Sequence, residues 1–322
     1  MIDIISIGDS TEDVFLKVKE AKIVCDVHGN NCLMCLLYAS KIPVEEVHKL
    51  IGGNASNNAL GSSKLGMKAA FYCVVGDDPT GRRIRDELKN NKVDLRYFFL
   101  DKKTSTNYSV VINIGAERTI LVYHVKREYK LPKFDKAKWV YLTSMGHGCE
   151  KILPDLEKYI KKNNVKLGFN PGTHQLNYGA DKLKNLLKLT EIIFLNKEEV
   201  QQFTKINSED IKVLLKKLKA LGPKIAVLTD GPKGAYCYDG KTFLKCNIFD
   251  VPVVERTGCG DSFSTAFVAA VHNGENLKEA LRWGTANSAS VIQFVGPHAG
   301  LLDMKGMKQY LNRFKNQKAV EF

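Results

Sequence analysis

Hydrophobic and polar residues alternate in two patterns along the chain. Short continuous apolar runs, such as 225–229, are typical of strands that are buried on both faces of a parallel sheet. Between such runs, apolar residues recur at helical spacing, for example over 209–221, where Gly222 and Pro223 then end the helix. Further strands are predicted at 139–143, 165–169 and 192–195, with a helix at about 150–163. Strands that alternate with helices predict a three-layer α/β/α domain over 1–322, with a mostly parallel central sheet.

Two segments, about 14–42 and 106–125, break this alternation. Each contains two short runs of β-type residues around a Gly-containing turn, which predicts a hairpin. The segments are far apart in the sequence. We expect them to pair into a small accessory sheet beside the main domain.

The composition is typical of a globular protein. The chain has 322 residues, of which 44% are hydrophobic, enough for a large buried core. It contains no apolar stretch of about 18 residues, as a membrane span would need. The N-terminal sequence also lacks the basic region of a secretory signal. Eight cysteines in a chain without an export signal predict a cytoplasmic, reducing environment and free thiols.

The net charge of +13 raises the possibility of nucleic-acid binding. Lysines outnumber arginines, however, and are spread over helical segments, for example at Lys212, Lys216 and Lys219. No nucleic-acid motif accompanies them, so we expect a solvated basic surface rather than a nucleic-acid partner. A positive field would also favour an anionic small-molecule substrate.

The strongest chemical signal is the glycine-rich turn Gly258-Cys259-Gly260-Asp261, which leads directly into a predicted helix ending near Gly274. Backbone N–H groups at a helix N-terminus bind anions, and the helix dipole favours negative charge there. A carboxylate at that position could take a proton from an attacking hydroxyl. The alternative interpretation is that Asp261 only caps the helix.

A second signal is Gly52-Gly53 followed by three asparagines, Asn54, Asn57 and Asn58. Two glycines let the backbone approach a ligand closely, and the amides can donate to and accept from hydroxyl groups. A helix is predicted over 59–65. Taken alone, this segment is better explained as a plain Gly-Gly turn with an asparagine cap.

Four motifs in register resemble the ribokinase-like (PfkB-type) carbohydrate kinases over essentially the whole chain. The segment from Gly52 to Gly76 matches the N-terminal signature of the family, and Thr257 to Asp261 matches its C-terminal signature. Between them lie Asn196-Lys-Glu-Glu199, similar to the family's N-x-x-E motif, and Thr229-Asp-Gly-Pro-Lys-Gly234, similar to its nucleotide-loop motif.

The resemblance implies an ATP-dependent phosphotransferase that acts on a hydroxyl group. Asp261 would be the catalytic base, and Gly258, Cys259 and Gly260 would form the anion hole. The acceptor, a sugar or a nucleoside, would be held by Asp13, Gly52, Gly53 and Asn57. The implied ATP-binding residues are Asn196, Thr229, Gly231, Gly234 and Asn287, with Glu199 organising Mg²⁺. The accessory sheet would be the family's lid, through which many members form homodimers.

Three positions depart from the family pattern. Glu255 stands where the family usually has Asp, at a position associated with a monovalent cation such as K⁺. Cys259 replaces the usual Ala, and Asn54 replaces a Lys that is common in ribokinases and sugar-phosphate kinases. The acceptor therefore stays open between a sugar and a nucleoside, and a catalytically silent binding protein with the same fold is a further alternative.

The first accessory segment also carries Cys25, His28, Cys32 and Cys35, and the last two have the C-x₂-C spacing of a zinc-binding turn. A metal there would stabilise a thin sheet. The alternative is that these cysteines are small apolar residues that pack the accessory sheet or a dimer interface.

Overall fold

The computed structural model describes residues 1–26, 32–114 and 117–322. Its strands are, in chain order, β1 (Ile2–Ile7), β2 (Thr11–Val18), β3 (Lys22–Cys25), β4 (Cys32–Cys35), β5 (Val44–Gly52), β6 (Ala69–Gly76), β7 (Phe98–Asp101), β8 (Asn107–Ile114), β9 (Glu117–Tyr123), β10 (Ala137–Leu142), β11 (Lys166–Phe169), β12 (Thr190–Asn196), β13 (Ile225–Thr229), β14 (Ala235–Tyr238), β15 (Phe243–Cys246) and β16 (Val320–Glu321). Its helices are α1 (Asn54–Lys64), α2 (Pro79–Asn90), α3 (Leu153–Asn163), α4 (Thr173–Tyr178), α5 (Lys184–Leu189), α6 (Lys197–Thr204), α7 (Ile211–Ala220), α8 (Cys259–His272), α9 (Leu277–Val291) and α10 (Met304–Arg313).

A ten-stranded sheet forms the centre of the molecule, in the order β16-β15-β14-β13-β12-β11-β10-β1-β6-β7. The pairings from β7 to β13 are parallel, and those from β13 to β16 are antiparallel. The predicted mostly parallel sheet is therefore confirmed. Neighbouring residues of β1 point to opposite faces: Ile5 packs in the core that contains α3 and α7, and Ile4 packs with α8 and α9. Helices thus cover both faces of the sheet, as expected for near-continuous apolar strands.

Most predicted elements agree with the structure. The strand predicted at 225–229 is β13, and the helix predicted over 209–221 is α7, whose first turn is capped by the Asp210 side chain. The prediction for 59–65 was too short, because α1 begins at Asn54. The asparagines of this segment lie in the helix, where Asn58 is buried and bonds to Ser6 and Thr265. Tertiary hydrogen bonds compensate for their low helix propensity.

A separate four-stranded sheet, in the order β5-β2-β8-β9, joins the two segments that break the α/β alternation. In it β2 runs parallel to β8 and antiparallel to β5. The accessory sheet is thus present, but β5 lies beyond the boundary predicted at 42. The hairpin within the first segment, β3–β4, is a two-stranded sheet of its own.

The prediction of free thiols was wrong for two cysteines. Cys25 and Cys32 pair directly across the β3–β4 hairpin and form a disulfide. Facing positions on antiparallel strands bring the two sulfurs within bonding reach. A disulfide leaves no thiolates at this pair for zinc, while Cys35 is free and exposed and His28 lies outside the described residues. Over the residues that the structure describes, no helix is long and apolar enough to cross a membrane.

Candidate active site

A large cleft of about 1120 Å³ opens at the carboxyl ends of the parallel strands. Asp9, Asn170, Asn196 and Thr229, which lie at or just beyond the ends of their strands, line it. The accessory sheet contributes residues such as Asp13 to the opposite wall. Ligands of open α/β sheets bind at this edge, where loops and helix N-termini converge.

The turn at 258–261 lies in the wall of this cleft and begins α8. Gly258 adopts a φ of 77°, and a Cβ there would overlap Pro297, so only glycine fits. Asp261 lies in the first turn of α8, and Gly258 is the cap, so the capping alternative for Asp261 is wrong. The first N–H groups of a helix lack carbonyl partners within it, and here those groups border the cleft. The turn can therefore bind an anion beside a carboxylate.

The carboxyl group of Asp261 has a raised pKa. Its pKa is raised to about 6, chiefly by burial and in part by the nearby carboxylates of Glu199 and Asp13, while a hydrogen bond from Asn57 lowers it. The Asn57 side-chain nitrogen donates to Asp261 Oδ2 at 2.7 Å. At physiological pH the group is mostly ionised but still readily protonated, as a general base should be.

Asn57 is itself held by a chain of contacts. His298 Nε2 lies 2.8 Å from Asn57 Oδ1, and His298 Nδ1 lies 3.5 Å from a carboxylate oxygen of Glu87 on α2. The Asn57 carboxamide is thus fixed at both ends. This arrangement directs its N–H group at Asp261.

Asp13 lies across the cleft, on β2. It is buried, and burial raises its pKa to about 6, with Glu255 and Glu12 raising it and a hydrogen bond from Ser109 lowering it. A Cβ on Gly52 would overlap the Asp13 carboxylate, so the glycine makes room for this acid. Gly52 lies behind Asp13 and supports it, whereas Gly53 and Asn57 line the cleft.

The other half of the cleft is formed by the loops after β12 and β13, where Thr229, Gly231 and Gly234 line the wall. Asn196 and Glu199 form a reciprocal cap at the start of α6, with the Asn196 N–H donating to Glu199 Oε2 at 2.9 Å. Burial raises the pKa of Glu199. Four predicted ATP-binding residues, Asn196, Thr229, Gly231 and Gly234, therefore lie at the same end of the cleft as the predicted metal ligand Glu199.

The structure does not bring Asn287 to the cleft. Its side chain is fully buried, donates to the Ser262 carbonyl at 2.8 Å and accepts from the Leu302 N–H at 3.0 Å. Its amide is used in packing α8 against α9. The neighbouring residues Ser288 and Ala289 reach the cleft instead.

Several cleft residues were missed from the sequence. An apolar wall comes from Ile248, Val251 and Val253, between β15 and α8, and an apolar run ahead of the glycine turn was the signal for it. Asp9 lies two residues beyond the end of β1 and accepts hydrogen bonds from the Tyr129 hydroxyl and the Gly146 N–H. Asp13 was predicted to reach the cleft, but no sequence pattern indicated that Asp9 would also reach it.

Arg118, on β9, was also missed. It lines the cleft, and among the described residues its Nε is buried without a hydrogen-bond partner. Its Nε lies 3.8 Å from Glu255 Oε1, and its charge lowers the pKa of Cys259, which burial raises. Arg118 therefore places a cation beside the glycine turn.

Comparison with known proteins agrees with this site. Residues 19–303 match the model of the pfkB family of carbohydrate kinases. An ATP-dependent 6-phosphofructokinase of Thermoanaerobacterium thermosaccharolyticum is 25% identical over 84% of this chain and 88% of its own length. A 5-dehydro-2-deoxygluconokinase of Geobacillus thermodenitrificans is 27% identical over 87% of this chain and 90% of its own.

The fold has solved counterparts. The crystal structure of the Methanocaldococcus jannaschii nucleoside kinase, an archaeal member of the ribokinase family, superposes with a TM-score of 0.79 over 97% of this chain and 99% of its own, at 19% identity. The family match spans most of the sequence, and its core motifs meet in one cleft. The chain therefore belongs to the pfkB family of carbohydrate kinases.

Proposed function

We propose that this protein transfers the γ-phosphoryl group of ATP to a hydroxyl group of a sugar or a sugar-containing small molecule. The observation that carries the proposal is the position of Asp261. Its carboxylate lies in the first turn of α8, beside backbone N–H groups suited to an anion, and it faces the same cleft as Asp13. One cleft thus holds a base, an anion site and a hydroxyl-binding acid.

In the proposed reaction, Asp261 takes the proton of the acceptor hydroxyl as its oxygen attacks the γ-phosphorus and the bond to the β-phosphate oxygen breaks. The N–H groups of Cys259 and Gly260 stabilise negative charge on the transferred group. Asp13 accepts hydrogen bonds from acceptor hydroxyls and so orients the attacking oxygen. Arg118 supplies a further positive charge at the anion site.

ATP would lie along the loops after β12 and β13, with its base against the apolar wall at 248–253. The residues present fit a magnesium ion: Glu199 and Asn196 offer oxygen ligands, and burial disfavours the ionised Glu199 unless a cation is near. When bound, Mg²⁺ neutralises phosphate charge during transfer.

A monovalent cation at Glu255 does not fit as well. Its Oε1 accepts from the Thr257 N–H at 2.8 Å and from the Thr257 hydroxyl at 2.6 Å. Its Oε2 lies 3.4 Å from the Gly296 N–H, and Arg118 is close by. The carboxylate is already engaged in holding the turn before α8, so we assign no K⁺ site there.

We further propose that the accessory sheet is a lid that closes over the acceptor and excludes water. Its outer face exposes Val47, Leu121 and Tyr123, each more than half exposed, which suits pairing with a second copy as a homodimer. Dependence on ATP favours the cytoplasm.

Sedimentation equilibrium tests the dimer. The unsubstituted protein and the surface control Lys41→Glu should have the mass of a dimer, and Leu121→Lys should have a lower mass. An unchanged mass in Leu121→Lys would contradict the dimer.

A coupled ADP-release screen over pentoses, hexoses, their phosphates and nucleosides tests the function. We expect ADP release that depends on one acceptor class and is lost in Asp261→Asn. Release with nucleosides alone would favour the nucleoside kinase alternative. ATP binding without acceptor-dependent ADP release across the whole panel would favour the catalytically silent binding protein.

A further inference from the structure

A group of potential metal-ligating side chains lies beside the cleft, away from the proposed catalytic residues. Cys149 and Glu150 begin the short turn that follows β10, and His174 lies in the first turn of α4. One ligand atom from each, the sulfur, a carboxylate oxygen and a ring nitrogen, lies within 4.8 Å of the other two. Two segments that are separate in the sequence thus bring three different ligand types together.

A second imidazole ring lies next to this group. The ring of His147 lies against that of His174, with 4.1 Å between the ring centroids. His174 Nε2 is 3.4 Å from Glu150 Oε2, which is about the separation of two ligand atoms on one tetrahedral zinc ion. Two imidazoles, a carboxylate and a thiol make a ligand set of the kind found in zinc sites.

The charge of the cluster also suits a cation. Glu150 contributes a carboxylate, and Cys149 lies buried beside it. A bound metal deprotonates a coordinating thiol outright, so a metal ion here would face two anionic ligands.

The distances need only a small adjustment. Ligand atoms around a tetrahedral zinc ion lie roughly 3.5 Å apart, as follows from Zn–S and Zn–N distances of about 2.3 and 2.0 Å. Closing the observed separations takes rotations of the Glu150 and His174 side chains. Glu150 and His174 are partly exposed, and His147 is exposed, so these side chains have room to turn.

We propose that Cys149, Glu150 and His174 form a binding site for Zn²⁺, with His147 supplying a fourth ligand. Sulfur and imidazole ligands select this ion over Mg²⁺, which prefers oxygen. The ion ties the loop after β10 to α4. Ser144, in the loop after β10, and Thr173, the first residue of α4, line the cleft, so zinc stabilises this wall of the site rather than taking part in phosphoryl transfer.

The test uses full-length, tag-free protein that has been stripped with a chelator and dialysed. Zn²⁺ is titrated in competition with a chromophoric chelator, and Co²⁺ is used to look for a sulfur-to-metal charge-transfer band. We expect one Zn²⁺ per chain, a Co²⁺–thiolate band, and a rise in thermal midpoint with Zn²⁺. Cys149→Ser and His174→Gln should each weaken Zn²⁺ binding at least about 10-fold, since losing even an outer-shell partner of a metal ligand costs about 10- to 100-fold in affinity.

Cys35→Ser is the matched control, because it removes an exposed thiol from the β3–β4 hairpin, the other cysteine cluster. Its zinc affinity should equal that of the unsubstituted protein. Circular dichroism and ATP binding establish that each variant is folded. Stoichiometric binding that survives in both Cys149→Ser and His174→Gln, binding that is lost in Cys35→Ser, or no binding to the unsubstituted protein would each overturn the proposal.

Discussion

Removing the hydrogen bond from Asn57 to Asp261 should change the pH dependence of the enzyme in a calculable way. The bond stabilises the ionised form of Asp261 and so lowers the pKa of that carboxyl, which burial raises to about 6. A hydrogen bond to a charged group contributes about 1.5–3 kcal/mol, and 1.36 kcal/mol corresponds to one pH unit. Taking the lower figure, because the cleft is open to water, Asn57→Ala should raise this pKa by about one pH unit.

The sign of the effect follows from the role of Asp261. A base is active when it is deprotonated, so activity is lost as the pH falls through its pKa. In Asn57→Ala the acidic limb of log kcat/KM for the acceptor should therefore move about one pH unit to higher pH. Asn57 also borders the acceptor site, so the height of the profile should fall as well. The position of the limb, unlike its height, reports the pKa.

The matched control is Asn54→Ala, which removes the same side chain from the first turn of the same helix, also in the cleft wall. In Asn54→Ala the acidic limb of log kcat/KM should lie at the same pH as in the unsubstituted protein. An unmoved limb in Asn57→Ala, or an equal movement in Asn54→Ala, would refute the reasoning. Rate measurements from about pH 5 to 9 under coupled-assay conditions decide between these outcomes.

Three further predictions concern the walls of the cleft. Asp13→Asn should raise the free energy of unfolding by up to about 3 kcal/mol at pH 8 and by little near pH 4, and urea denaturation at both pH values measures this. The reason is that the folded protein resists ionising this acid, so stability is lost progressively as the pH rises from the unfolded-state pKa of about 4 to the folded-state pKa of about 6. Gly52→Ala should damage acceptor KM far more than ATP affinity, since the new methyl group would displace the Asp13 carboxylate; equal KM values for the acceptor in both proteins would contradict this role. Arg118→Ala should lower kcat by roughly 10-fold or more with little change in the thermal midpoint. Arg118→Lys keeps the positive charge and should recover part of this rate. Full activity in Arg118→Ala would exclude a role at the anion site.

The sequence was most informative where local chemistry decides structure. Continuous apolar runs located β12 and β13 within two residues at each end, because strands buried on both faces have few alternatives. The turn at 258–261 was predicted with its position at the helix start, because the glycines and the following apolar spacing are local signals. These features need no knowledge of distant contacts.

The failures come from contacts between distant segments. The start of α1 was missed because Asn and Ser disfavour helices, and only burial against α8 makes the helix favourable there. β5 was missed because its exposed residues are mixed in polarity, and its register is fixed by pairing with β2. Arg118 reaches the site only because β9 joins the accessory sheet, so its sequence position carried no sign of that role.

The most direct test of the account is the turnover of Asp261→Asn. The substitution keeps the size of the side chain and removes the base, so kcat with saturating ATP and acceptor should fall by roughly 10²-fold or more while ATP affinity stays nearly unchanged. The thermal midpoint should not fall, because a buried acid with a raised pKa is replaced by a neutral group. A folded Asp261→Asn protein that binds ATP and turns over at a near-normal rate would contradict the assignment of Asp261 as the catalytic base.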